Sequence, residues 1–182
     1  MTLTAYKWTI EAYHQAIAAG CFADQPVELL KGEIILMAPE REIHAFYNSE
    51  VADYLKGLLG NRAKIRDAKP ITLANDSEPV PDIAVVKSLG KVYLEHHPYA
   101  EDILWLIEFS KATLKKDLTE KKAIYGEAGI GEYWVVDLKN RALWVFRDWE
   151  NGVYGTALRL SDGTVTPLAF QDIAIPVQVL MA

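Results

Sequence analysis

One stretch constrains this chain more than any other: residues 102–137, DILWLIEFSKATLKKDLTEKKAIYGEAGIGEYWVVD. An apolar run, Ile103-Leu104-Trp105-Leu106-Ile107, ends abruptly in Glu108. Lysines follow at positions 111, 115, 116, 121 and 122, and a second apolar run closes at Asp137. The pattern parses as strand, basic loop, helix, strand. An ionised carboxylate at the end of a buried strand is costly unless something positive meets it, and the lysine-rich segment supplies candidates. Upstream, a second apolar strand carries its own acid, Pro81-Asp82-Ile83-Ala84-Val85-Val86.

The elements around this core can be read in order. Residues 9–20 predict a short amphipathic helix with Thr9 as N-cap and Gly20 closing it, and with His14 at its surface. Cys21, just past that helix, is expected to be structural. Val27–Leu30 and Glu33–Met37 flank Lys31-Gly32, a two-residue hairpin turn. A long helix should run from about Glu40 to Leu59, with Ile43, Phe46, Tyr47, Val51, Tyr54, Leu55 and Leu58 as its apolar stripe. Strands are expected at 62–67 and 70–74, and residues 88–101 are the least regular part. The adjacent pair His96-His97 reads as solvated loop, since neighbouring residues point to different sides of any regular element. Strands at Arg141–Trp149 and Val153–Leu160 form a C-terminal hairpin, and the last twenty residues read as an edge strand and tail. The expectation is one α/β domain over residues 1–182: a mixed β-sheet flanked by helices, with an N-terminal helix and hairpin and a C-terminal β-hairpin extension.

Composition narrows the classes of function. The 182 residues are 51% apolar, enough for a sizeable core, and no segment approaches a bilayer-spanning length. The N-terminus lacks the basic start and apolar core of a signal peptide. Cys21 is the one cysteine, so intrachain disulfides and cysteine-based zinc sites are excluded, and a cytoplasmic location is expected. A formal charge of −6 argues against generic coating of nucleic acid, but not against an enzyme with a local basic patch and cations held over its acids.

Two strand-borne carboxylates with a nearby lysine suit metal-assisted phosphodiester hydrolysis. A divalent ion held by carboxylates can polarise the phosphorus, activate water and neutralise the leaving oxygen. Magnesium and manganese prefer such oxygen ligands. This arrangement resembles the PD-(D/E)XK nuclease superfamily: Pro81-Asp82 matches its first motif and Glu108-Phe109-Ser110 its second, with serine where lysine belongs. More closely, the chain resembles the Uma family of bacterial endonucleases, a branch with a restriction-endonuclease-like fold. The matching pieces include residues 27–33, Met37-Ala38-Pro39, His44, residues 80–86, Ile107–Ser110, Asp117–Lys121, Tyr125, Gly129-Ile130 and residues 132–137.

The resemblance implies that Asp82 and Glu108 hold Mg2+ or Mn2+, with Glu28 completing the metal shell. It makes Lys121 the migrated lysine, and Tyr125, four residues on, projects from the same helical face. His44 is a lesser candidate; on sequence alone a packed or solvated histidine is the better account of it. The implied substrate is nucleic acid, DNA before RNA, and the implied assembly a homodimer. Each residue also has a plainer reading. Asp82 could cap a turn, Glu108 could form a structural ion pair, and Lys121 could belong to a solvated helix face together with Lys122. Glu28 and Glu33 bracket a turn and could both be exposed. Two other functions stay open: a catalytically idle dimeric binding or scaffold module, and a metal-dependent hydrolase of another phosphate substrate.

Overall fold

The computed structural model describes residues 4–181. Its centre is a six-stranded sheet in the order β3-β4-β5-β6-β7-β8, with β3 at Lys64–Asp67, β4 at Ile83–Val86 and β5 at Ile103–Ser110. The remaining strands are β6 at Tyr133–Asp137, β7 at Ala142–Glu150 and β8 at Val153–Leu160. Only β5 and β6 run parallel, so the sheet is mixed. Parallel neighbours need a crossover, and residues 111–132 supply it in helical form. That crossover comprises an α-turn, α3 (Leu114–Lys116), a π turn (Asp117–Lys121) and α4 (Lys122–Glu127), without a break between them.

Side-chain alternation along β5 divides the core in two. Trp105, Ile107 and Phe109 pack on one face with α2 (Glu42–Leu59) and with the C-terminal residues Ile175, Val177 and Leu180. Leu106 packs on the other face with Leu30, Ile124, Tyr125 and Tyr133. Glu108, two residues beyond Leu106, therefore enters the second face.

The N-terminal helix α1 spans Ile10–Ala18, and the Thr9 hydroxyl accepts a hydrogen bond from the Ala12 amide. Strands β1 (Val27–Leu30) and β2 (Glu33–Leu36) form the expected hairpin. Its turn residues take φ of 49° at Lys31 and 74° at Gly32, the left-handed pair that matches strand twist in a two-residue hairpin. A Cβ at Gly32 would also meet Lys7 Cβ and Trp8 O at 2.9 Å, so glycine lets the N-terminal segment cross the turn closely. No helix among the described residues is long and apolar enough to cross a membrane.

Four expectations are corrected. Residues 70–74 form no strand; Leu73 makes one isolated bridge to Ser77. Helix α2 is rotated from its expected stripe: Val51, Ala52, Leu55 and Leu59 are buried, whereas Phe46 is 57% exposed and Ile43 and Leu58 also face out. The helix carries more apolar residues than one sheet face can cover, and the first inward positions go to His44 and Asn48 instead. The C-terminal segment is a core element, with β9 (Thr164–Val165) and β10 (Ile175–Pro176) paired and Leu180 and Met181 buried. Cys21 is exposed and holds nothing together through its thiol.

Candidate active site

The antiparallel register of β4 and β5 pairs Ile83 with Ile107. One step further, Asp82 stands opposite Glu108, and directly opposed residues share a face. The two acids that the sequence left on separate strands therefore meet at one end of the sheet.

Asp82 sits at the rim. Its Oδ2 accepts the Phe109 amide at 2.6 Å and the His44 Nε2–H at 2.9 Å. His44 Nδ1 lies 2.8 Å from Glu40 Oε1. Both ring nitrogens thus face carboxylates, which only the doubly protonated imidazolium satisfies as a donor on each side. The hydrogen bond to Asp82 accordingly pushes the His44 pKa up from 6.5 to about 9, against the opposing effect of burial. The ring also stands edge-on to Phe109 at 6.2 Å, which fixes its plane.

Glu108 sits inside, 3% exposed. Its Oε1 accepts from Lys121 Nζ at 2.8 Å and from the Tyr125 hydroxyl at 2.7 Å. Burial raises the Glu108 carboxyl well above the usual carboxylate range, and the Lys121 charge pulls it back. Burial also works against charge on Lys121, but Glu108, Glu28, Asp117 and Asp82 more than offset it, and the ammonium stays protonated.

Glu28 arrives from β1 and differs from the other two acids. Its Oε1 accepts from Lys116 Nζ at 2.9 Å, while its Oε2 accepts from the Val80 amide at 3.3 Å and lies 3.9 Å from Lys121 Nζ. Burial raises its carboxyl, yet Lys121 and Lys116 together bring it below the ordinary value. Both oxygens of Glu28 are therefore engaged. By contrast, Asp82 Oδ1 and Glu108 Oε2 carry no hydrogen bond among the described residues.

Ordinary i, i+4 spacing lets one helix deliver both Lys121 and Tyr125 to Glu108, and a π turn leads into it. Such turns insert an extra residue into a helical repeat and recur at functional sites. Here the turn opens at Asp117 and closes at Lys121, both buried. Asp117 Oδ2 accepts the Ser110 hydroxyl at 2.6 Å, which pins the turn to the end of β5. Ser110, standing where the superfamily pattern has lysine, thus fastens the helix that carries the lysine instead. Sequence reasoning assigned nothing to Ser110, Asp117, Lys116 or Glu40. The first two were readable: Ser110 shares a strand face with Glu108, and Asp117 shares a helical face with Lys121. The contact of Lys116 with Glu28 spans 88 positions and leaves no local signal.

Can these residues hold a divalent cation? Five acidic side chains (Glu28, Glu40, Asp82, Glu108 and Asp117) gather around three basic ones (His44, Lys116 and Lys121), so acids outnumber bases, although burial pushes Glu108 towards its protonated form. The unpaired oxygens of Asp82 and Glu108 are hard donors of the kind magnesium and manganese take. Among the described residues, however, no three His, Cys, Asp or Glu side chains converge closely enough to hold an ion alone. The donor set fits a cation bound through two carboxylates and completed by water or by substrate phosphate. Elsewhere, the half-buried His96 stacks on Tyr99 at 4.2 Å and the half-buried His97 meets Arg66, so that histidine pair is part solvated and part packed.

Known proteins bear on this geometry in two ways. Among the solved chains that match is a crystal structure described as "a putative nuclease belonging to DUF820" from Anabaena variabilis ATCC 29413. It superposes with a TM-score of 0.71 at 17% identity, covering 86% of this chain and 90% of the other, a likeness of fold. No curated protein matches the chain in sequence. Residues 10–178 match the pattern of the family called Uma2, described as "Putative restriction endonuclease", and the span includes every residue of the site. The chain belongs to the Uma2 family.

Proposed function

We propose that this protein is a metal-dependent endonuclease that hydrolyses phosphodiester bonds, with DNA as substrate and Mg2+ or Mn2+ as cofactor. The family description supports a nuclease in general. The observation that carries the finer reading is the opposition of Asp82 and Glu108 across β4 and β5, each with one oxygen unpaired, beside a lysine held protonated.

In this reading Asp82 and Glu108 bind the cation, which when bound supplies charge neutralisation at the scissile phosphate. The Phe109 amide and His44 hold Asp82 in place, and Tyr125 does the same for Glu108. Lys121 keeps its proton, so it acts as a fixed positive charge that orients water and stabilises charge building on phosphorus. It is not a general base. Glu28 joins the metal shell only if Lys116 releases it, and Lys116 has a natural competitor in a substrate phosphate. The exposed Lys111 and Lys115 extend the basic rim along which a backbone would lie.

A calorimetric titration of manganese into the wild type and into Asp82→Ala, with and without a DNA duplex, tests the site. Binding by the wild type and none by the variant supports it; cleavage assays on DNA and RNA in Mg2+ and Mn2+ then identify the substrate. Absence of binding under both conditions sinks the proposal. One observation favours a second reading, a catalytically idle binding module: the acids already have basic partners, and among the described residues no three of them are placed to hold an ion. Manganese affinity separates the two.

A further inference from the structure

The two lysines of the site differ in what can reach them. The Lys121 side chain is 8% exposed and sits between two acids, its Nζ 2.8 Å from Glu108 Oε1 and 3.9 Å from Glu28 Oε2. The Lys116 side chain is 30% exposed, and its Nζ lies 2.9 Å from Glu28 Oε1. Glu28 is buried, so only the lysine end of this second pair is open to solvent. Lys116 rides on α3, a single turn of three residues whose N-cap Thr113 makes no side-chain cap bond. The exposed Lys111 and Lys115 precede it on the same segment. An anion arriving from solution therefore meets Lys116 without first meeting Glu28, and the ammonium can follow that anion on its flexible four-carbon stem.

We propose that the Lys116–Glu28 pair is a latch opened by the substrate. Phosphates of a nucleic-acid strand draw Lys116 off Glu28, and the freed Oε1 becomes a third hard donor beside Asp82 and Glu108. The latch rests on the metal-dependent nuclease reading and adds to it a coupling between two ligands. While Lys116 holds Glu28, the strand and the cation both meet a closed site. Each ligand favours the open latch, so each tightens the other, and by the same factor.

The latch also selects among phosphates. Drawing Lys116 away leaves a buried carboxylate short of a counter-charge until the cation arrives, which is costly. One weak contact does not offset that cost; several made together do. Lys111, Lys115 and Lys116 place three positive charges within six residues, which successive phosphates of one strand can engage at once. A lone phosphodiester engages one of them. The class of substrate that opens the site is therefore a polyanionic strand rather than a small phosphate ester.

Its test reads manganese affinity by calorimetry, with and without a decathymidine whose methylene-phosphonate linkages keep their charge and resist hydrolysis. In the wild type that strand is expected to tighten manganese on the order of tenfold. Lys116→Met is expected to bind manganese about tenfold tighter than the wild type with no strand present, and to gain little when the strand is added. Lys115→Gln removes the same charge from the neighbouring exposed position and is expected to leave manganese affinity unchanged. A dithymidine analogue with one phosphate is expected to give the wild type no gain. If Lys116→Met fails to fold by circular dichroism, Glu28→Gln takes its place and is expected to abolish the gain from the strand. Manganese bound no tighter by Lys116→Met than by the wild type overturns the latch, as does equal tightening in Lys115→Gln or a gain from the strand that survives Glu28→Gln. In those cases the wild type still binds the cation and the nuclease reading stands. An equal gain from dithymidine overturns the selection for a strand. Manganese bound by none of these proteins, with or without the strand, sinks the nuclease reading and the latch together.

Discussion

Asp82 and Glu108 stand opposite each other across two strands, yet they occupy different physical regimes. Glu108 is sealed in the interior and bound by two side chains from one helix. Asp82 lies at the rim, and the side chain that holds it is a histidine, a group that can lose its charge. Its other anchor is a backbone amide, which cannot. The interior acid is thus held by partners that stay constant at any physiological pH, and the rim acid by one that responds to its surroundings. In a site where one carboxylate must be rigid and another must exchange partners with an incoming cation, that division is useful.

The contrast is broken most severely at Lys121. Removing the ammonium takes away the charge that holds the Glu108 carboxyl down, so the buried acid must either take up a proton or stand charged alone, the situation that makes single truncations of buried pairs so damaging. Lys121→Met is expected to destabilise the chain by about 3–5 kcal/mol in urea or thermal denaturation. The double variant Lys121→Met/Glu108→Gln should recover much of that loss, because the stranded charge goes with the lysine. A recovery smaller than the error of the measurement would place the cost in packing rather than in charge.

Tyr125→Phe asks less of the same region. It removes one hydroxyl from Glu108 Oε1 and keeps the ring that packs against Tyr133 at 4.9 Å. A hydrogen bond to a charged group contributes about 1.5–3 kcal/mol, and Lys121 remains to hold Glu108, so the expected loss is about 2 kcal/mol. If Glu108 holds a cation as proposed, manganese affinity should weaken in parallel, since the orientation of the carboxyl then rests on one contact. A stability unchanged by Tyr125→Phe would show that Lys121 suffices.

These two regions were also unequally legible from sequence. The strand that ends in Glu108, the helix that follows, and the spacing of Lys121 to Tyr125 lie within one continuous stretch. There, periodicity alone carries much of the geometry, and the mixed α/β sheet follows from the same patterns. Asp82 and His44 are 38 residues apart on a strand and a helix whose rotation the apolar stripe misjudged. Ile43 and Phe46 read as inward because they are apolar, whereas the helix turns His44 and Asn48 inward, where Asp82 and Asp67 receive them. Hydrophobic spacing reports which face of a helix is greasiest; it does not report which polar residues find buried partners. The C-terminal tail was misread for a similar reason. Its buried Ile173, Ile175 and Val177 do alternate as a strand would, yet alternation does not report that they fill the space beside α2 and Trp105.

The smallest effect tests the rim acid. His44 has its pKa raised from 6.5 to about 9 in the folded chain, chiefly by its hydrogen bond to Asp82. The folded protein therefore keeps a proton that the unfolded chain releases between those values. A raised pKa means stability fully present below about pH 6.5 and lost as pH rises through about 9. His44→Gln keeps a donor for Asp82 but no charge, and is expected to cost about 1 kcal/mol at pH 6, the lower end for a charge-assisted contact at a partly exposed site. By pH 10 the variant and the wild type should unfold at the same denaturant concentration. Lys121 and Tyr125 do not titrate in that window, and Glu108, raised to about 8, titrates in both proteins, so the difference between them reports the histidine. A difference that persists unchanged to pH 10 would mean that the ring acts by packing on Phe109 and that Asp82 is held by the backbone amide alone. Convergence would mark the rim as the part of the site that responds to its surroundings.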